Sequence, residues 1–188
     1  MAQAKTLTPA ELDQVLAHIT TRKFALRNRV MLLTGYWSGM RVGEIAGLKV
    51  SDVMNADGTV KAEIRLSAEQ TKGRHPRTVF ISQKLQDELQ GYLALRKPTN
   101  LKEPLFVTAG RKGFSANVLT QHFFWLFKQA DISGASSHTM RRSFITNLAS
   151  KGIGVRVLAS LAGHRSIAVT QKYIDVNDDM KRNAVELI

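Results

Sequence analysis

The 188-residue sequence predicts a mainly helical (α+β) fold carrying one small antiparallel sheet. Three observations lead there. Apolar residues recur at helical spacing through most of the chain. One interval, between about residues 55 and 82, switches to turn signals and short β-prone runs. No internal repeat, low-complexity segment or long Pro/Gly/Ser linker divides the chain, so residues 1–188 read as one domain, long enough to bury a substantial core.

Each element has its own signal. Thr8-Pro9-Ala10-Glu11 reads as a helix start: an N-cap hydroxyl, proline at the first helical position, and glutamate three residues after the cap. Leu12, Val15, Leu16 and Ile19 continue it at helical spacing. A second helix covers Ala25 to Tyr36 and breaks at Ser38-Gly39; a short third one begins near Arg41. Asn55-Ala56-Asp57-Gly58 is a turn, and Val60 to Leu66 and Arg77 to Ser82 read as strands around a polar loop. Helical patterning resumes with Leu85, Leu89 and Leu93. Further helices are expected over Ala116–Gln129, Thr139–Ser150, Val155–Leu161, Ile167–Ile174 and Asp178–Leu187. Ser115, Ser137, Ser166 and Asn177 stand at the N-cap positions of four of these five.

Composition narrows the function. Twenty-seven Lys and Arg against 15 Asp and Glu give a formal charge of +12, which attracts polyanions, nucleic acid foremost. The excess is uneven: eight Lys/Arg and three Asp lie between His138 and Arg182. Cysteine is absent, which excludes disulfides and thiolate metal sites and fits a reducing cytoplasm. The longest apolar run, Phe123 to Phe127, is far too short to span a bilayer, and the first residues lack the apolar stretch of a signal peptide.

Taken singly, the candidate chemical groups have ordinary readings. Arg41 suits a surface salt bridge, and Lys72 a solvated loop. His138 and Arg141 are a common pairing on one helix face, His164 suits a helix end, and Tyr173 a core position. Together they occur in a telling order. Ser38-Gly39-Met40-Arg41-Val42-Gly43-Glu44-Ile45, Thr71-Lys72-Gly73, Ser137-His138-Thr139-Met140-Arg141-Arg142-Ser143-Phe144, and Leu161-Ala162-Gly163-His164 followed nine residues later by Tyr173 resemble the boxes of the tyrosine recombinase, or phage integrase, family. The resemblance runs from about Leu7 to Val176. Two departures are Ala162, where many members carry the leucine directly before the glycine, and Arg142, where a histidine is frequent. Members usually carry an N-terminal DNA-clamping domain. The start at Met1, with the first helix at Thr8, favours a naturally short member over an excised catalytic domain.

That resemblance implies a mainly α (α+β) catalytic-domain fold with a small three-stranded antiparallel sheet, and a metal- and ATP-independent DNA strand exchange, with no cofactor. Arg41 and Arg141 would clamp the scissile phosphate, since guanidiniums stay charged and present planar forks of donors. Tyr173 would attack phosphorus to give a 3′-phosphotyrosyl link. His138 would act as general base or its assistant, and Lys72 would protonate the departing 5′-oxygen. His164 would donate to the phosphate, and Glu44 would orient Arg41 or a neighbour. Arg74, Arg142 and Arg165 are expected to touch DNA. The expected partner is double-stranded DNA, bound by a tetramer whose protomers are monomers in free solution. A DNA-bending accessory protein is a further expected partner, and no membrane is. Residues 177–188 are expected to form a helix that docks on a neighbouring protomer. Two other classes compete. One is a relaxing or end-resolving enzyme like the type IB topoisomerases. The other is a non-catalytic DNA-binding module, which an intact set of six positions disfavours.

Overall fold

The computed structural model describes residues 4–174 and 178–186. The chain opens with α1 (Pro9–Thr20), capped as its sequence requires: Thr8 Oγ1 accepts from the Glu11 amide at 3.2 Å, and the Glu11 carboxylate accepts from the Thr8 amide at 3.0 Å. Just before it, Leu7 is buried and its amide donates to Ser143 Oγ at 2.9 Å, strapping the N-terminal segment onto a distant helix. Helix α2 (Ala25–Ser38) carries buried side chains on every side, Val30, Met31, Leu32, Leu33 and Tyr36 among them, and so runs through the middle of the molecule. It stops where Gly39 adopts φ 65°.

Two short helices follow, α3 (Val42–Ala46) and α4 (Val50–Val53), then the sheet strands β1 (Glu63–Leu66) and β2 (Arg77–Phe80). The strands pair antiparallel, Glu63 opposite Phe80 and Leu66 opposite Arg77. The sheet thus has two strands among the described residues, not three. Val60 makes an isolated bridge to Met54, but α4 occupies the residues before Met54 and no third ladder extends from it. β1 is correspondingly shorter than the Val60–Leu66 expectation, and β2 ends at Phe80, before the expected Ser82.

The remaining helices are α5 (Gln83–Arg96), α6 (Ala116–Gln129), α7 (Thr139–Ser150), α8 (Val155–Ala162), α9 (Ile167–Gln171) and α10 (Asp178–Val185). Leu85, Leu89 and Leu93 of α5 and Leu119, Phe123 and Phe127 of α6 all enter the core. Ser115 caps α6, accepting from the Val118 amide at 3.2 Å. α7 keeps its expected bounds, but His138, not Ser137, holds the N-cap position; the turn before it closes through Ser136, whose amide donates to Thr139 Oγ1. α9 is shorter than expected, ending before Lys172 and leaving Tyr173 in the following turn. The expected Asn177 cap and the end of the last helix at Leu187 lie outside the described residues. Among the described residues, no helix is long and apolar enough to cross a membrane.

Candidate active site

Four junctions of the fold converge on one cleft of about 840 Å3. The first is the break after α2. Gly39 is held at φ 65°, with the Phe144 ring 2.4 Å from where a Cβ would stand, so only glycine fits this turn. Two residues on, Arg41 occupies the N-cap of α3, and the Glu44 carboxylate reaches back to its amide at 2.8 Å.

Glu44 is 1 % exposed and joins two guanidiniums. It accepts from Arg41 Nη1 at 3.1 Å and from Arg77 Nη2 at 2.7 Å. Burial alone would raise its pKa, but the hydrogen bond and charge of Arg77, with those of Arg41, outweigh it and hold the carboxyl below its ordinary value.

The second junction is the end of α8, where Gly163 caps the helix at φ 63°. A helix C-terminus leaves carbonyls without partners and carries partial negative charge. Here three successive carbonyls each receive a guanidinium. Leu161 accepts from Arg77 at 3.0 Å, Ala162 from Arg141, and Gly163 from Arg41 at 3.3 Å. Arg141, on the first turn of α7, is 6 % exposed and also donates to the Gly39 carbonyl at 2.7 Å, tying the first junction to the second. Burial, then the positive charges of Arg41 and Arg77, push the Arg141 guanidinium down to about 9, so it remains charged at neutral pH. Each of Arg41 and Arg141 spends two of its five N–H groups on these anchors, leaving the rest for a ligand.

The third junction follows α8 directly. His164 Nδ1 lies 2.8 Å from Thr170 Oγ1, a hydroxyl with no exposed surface, and its ring stacks on Tyr173 with centroids 5.8 Å apart. Burial, then Arg141, Arg41 and Arg77, lower the imidazole to about 4, so it is neutral near pH 7. Half-buried Tyr173 is itself fixed by its amide, which donates to Thr170 O at 2.9 Å, and by its carbonyl, which accepts from Thr146 Oγ1 at 3.2 Å.

The fourth is the β1–β2 loop. Gly73 at φ 96° and Arg74 at φ 54° turn the chain, and Thr71 Oγ1 donates to the His75 carbonyl at 2.7 Å, presenting exposed Lys72 at the cleft. Exposed His138 lines the cleft from the start of α7.

The structure therefore brings together all six positions singled out from sequence, Arg41, Lys72, His138, Arg141, His164 and Tyr173, with Glu44 among the lining residues. Arg165 is exposed and lines an adjoining pocket with Lys72. Arg74 is exposed on the loop. Arg142 is buried, with its guanidinium 5.5 Å from the Tyr173 ring centroid. Sequence reading missed Arg77, Thr146 and Thr170. Arg77 was findable, because strand alternation places it on the same face as buried Val79. Thr146 and Thr170 carried no sequence signal. Among the described residues, no three His, Cys, Asp or Glu side chains are grouped to hold a metal ion.

A fold of this kind, with arginines, histidines and a tyrosine facing one cleft, defines a class, and the family comparison agrees: the phage integrase family matches residues 5–180, and the chain belongs to that family. Among particular relatives, it is 32% identical to the tyrosine recombinase XerA of Pyrococcus furiosus, over 97% of this chain and 61% of that protein. It is 34% identical to the tyrosine recombinase XerD of Ralstonia nicotianae, over 92% of this chain and 56% of that protein. The chain thus spans about three fifths of the length of the curated relatives it matches. A crystal structure of XerA recombinase superposes with a TM-score of 0.77 at 25% identity, covering 100% of this chain and 66% of that one. The catalytic domain of bacteriophage HP1 integrase shares the fold, with a TM-score of 0.67 at 23% identity, covering 91% and 87%.

Proposed function

We propose that this chain cuts and rejoins DNA as the catalytic domain of a site-specific tyrosine recombinase, through a covalent link to Tyr173. The observation that carries this reading is the fastening of Arg41, Arg77 and Arg141 to the end of α8, one turn of chain from His164 and a short helix from Tyr173. Preset guanidiniums suit the negative charge that builds on the non-bridging oxygens of a phosphodiester under attack. Arg41 and Arg141 clamp the scissile phosphate, and Glu44 and Arg77 hold Arg41 in place. Neutral His164 donates to a phosphate oxygen in the tautomer whose Nδ1 accepts from Thr170. His138 takes the phenolic proton as Tyr173 attacks phosphorus, and Lys72 returns a proton to the departing 5′-oxygen. The 3′-phosphotyrosyl bond conserves the energy of the broken one, so a 5′-hydroxyl reverses the step without ATP. No metal or cofactor enters this scheme.

Double-stranded DNA is the partner, bound by four protomers that are monomers in free solution and aided by a DNA-bending protein. The cytoplasm is the setting. The solved integrase of the Tn1549 transposon is in complex with a circular intermediate DNA, which supports DNA as the ligand here. Arg74 and Arg165 contact the backbone beside the cleft.

The test is to incubate the protein with duplexes from around its own gene and look for a protein–DNA adduct that survives denaturant. Wild type forms the adduct with chelator present, and Tyr173→Phe forms none while binding DNA equally well. Adduct in the phenylalanine variant would remove Tyr173 from the nucleophile role. Lys72→Ala regains cleavage on substrates with sulfur at the 5′-bridging position, a leaving group that needs no proton; equal defects on both substrates would reassign Lys72 to phosphate binding.

A further inference from the structure

A second pocket, of about 530 Å3, adjoins the cleft and shares His138, Val169 and Tyr173 with it. Arg142 and Lys172 also line it, and among its described lining residues none is acidic. Arg142 is the unusual member. Only 8 % exposed, it donates from Nε to Thr6 Oγ1 at 3.2 Å, while its buried Nη1 has no hydrogen-bond partner. Its Cζ lies 5.5 Å from the Tyr173 ring centroid. A buried guanidinium held by one neutral hydroxyl and a ring face, with no carboxylate beside it among the described residues, is costly, and a neutral side chain would serve packing better. Among those residues, what this arrangement lacks is an anionic acceptor.

We infer that Arg142 and the pocket around it bind a second backbone phosphate of the DNA, the one flanking the scissile phosphate on the same strand. The inference rests on the recombinase reading and adds to it a second phosphate subsite. Guanidinium and phosphate match in geometry as well as charge, and a phosphate oxygen would supply the acceptor that the N–H groups of Arg142 lack. Because Arg142 also packs on the Tyr173 ring, seating this phosphate would set the nucleophile's ring against the strand it attacks. The N-terminal segment takes part through Thr6, which fixes the guanidinium from the other end.

The experiment has two arms, both on the full chain. In the first, binding to an unrelated duplex is measured across a salt series for wild type and Arg142→Gln. One lost phosphate contact reduces the log–log salt slope by roughly 0.9; an unchanged slope would overturn the inference. In the second arm, adduct formation is followed on the cleaved duplex with a neutral methylphosphonate at each flanking position in turn. Neutralising one flanking position slows wild type by about tenfold, on the scale of one charged hydrogen bond. Arg142→Gln slows the native duplex by a similar factor, and the two changes combined cost no more than either alone. Independent, multiplying losses would overturn the inference while leaving the recombinase reading standing. The wild-type methylphosphonate series needs no variant to fold, and a flat series would also overturn the inference. Absence of adduct on every native duplex would instead strike the recombinase reading itself.

Discussion

Glu44 shows how a single side chain can organise a cationic site. It is buried to 1 % exposure between Arg41 and Arg77, and its carboxylate compensates two guanidiniums at once. Glu44→Gln keeps the shape and removes the charge. Breaking a buried pair from one side costs about 3–5 kcal/mol, so the variant should unfold at clearly lower urea concentration. A cost under about 1 kcal/mol would mean the carboxylate orients the arginines without stabilising the fold. Two histidines set the acid limit. His164 and His122 are both lowered to about 4 from an ordinary 6.5, each mainly by burial. Below about pH 6.5 the unfolded chain takes up protons that the folded chain refuses until about pH 4, so stability is complete above that window and falls as pH drops through it. Thermal melts between about pH 7.5 and about pH 5 should show this fall, with a shallower slope in His122→Gln or His164→Gln. A slope unchanged by either substitution would contradict the assignment.

At the scale of elements, the decisive feature is the end of α8. Its last carbonyls collect Arg77, Arg141 and Arg41, so a helix terminus does the aligning that surface salt bridges could not. Gly163 makes this possible: at φ 63° it ends the helix, and an added Cβ would stand 2.6 Å from Arg77 Cδ. Gly163→Ala therefore combines backbone strain with displacement of Arg77. It should cost more than about 2 kcal/mol and slow cleavage at least tenfold. Gly73 is the comparison, with φ 96° but open space around it. Gly73→Ala should cost only about 1 kcal/mol, as strain without a clash. Equal losses at both positions, measured by denaturant titration, would show that the Arg77 contact does not matter.

For the whole molecule, the arrangement of α10 points outward. The described apolar side chains at its end, Ala184 and Val185, are exposed, the latter at 66 %. Met180 and Ile188, the other members of the apolar stripe expected from sequence, lie outside what the structure describes at the side-chain level. We propose that this helix docks on a neighbouring protomer. Deleting the residues after Val176 should leave single-site DNA binding intact and weaken cooperative assembly, as read by gel-shift titration on one and two half-sites. A truncated protein that unfolds would point to packing within its own protomer.

The sequence by itself determined the longer helices, because 3.6-residue periodicity and local caps such as Thr8–Glu11 and Ser115 depend on near neighbours, whereas the single turn of α4 carried no such pattern. It also determined the six candidate positions, because their residue types and order survive in one dimension. Tertiary structure alone decided the rest. That Val60 would leave the first strand for a single bridge to Met54 was not legible locally, and the early end of α9 was invisible without the Thr146 and Thr170 contacts that hold Tyr173. Arg142, expected to touch DNA, lies buried beside Tyr173, and Thr6, 136 residues away in sequence, receives its Nε. Arg77 joined the site through Glu44 and the end of α8, partners 33 and 84 residues distant. Local pattern records what a residue prefers for itself; which buried charge meets which carbonyl is settled only when distant segments are packed and every polar group must find a partner.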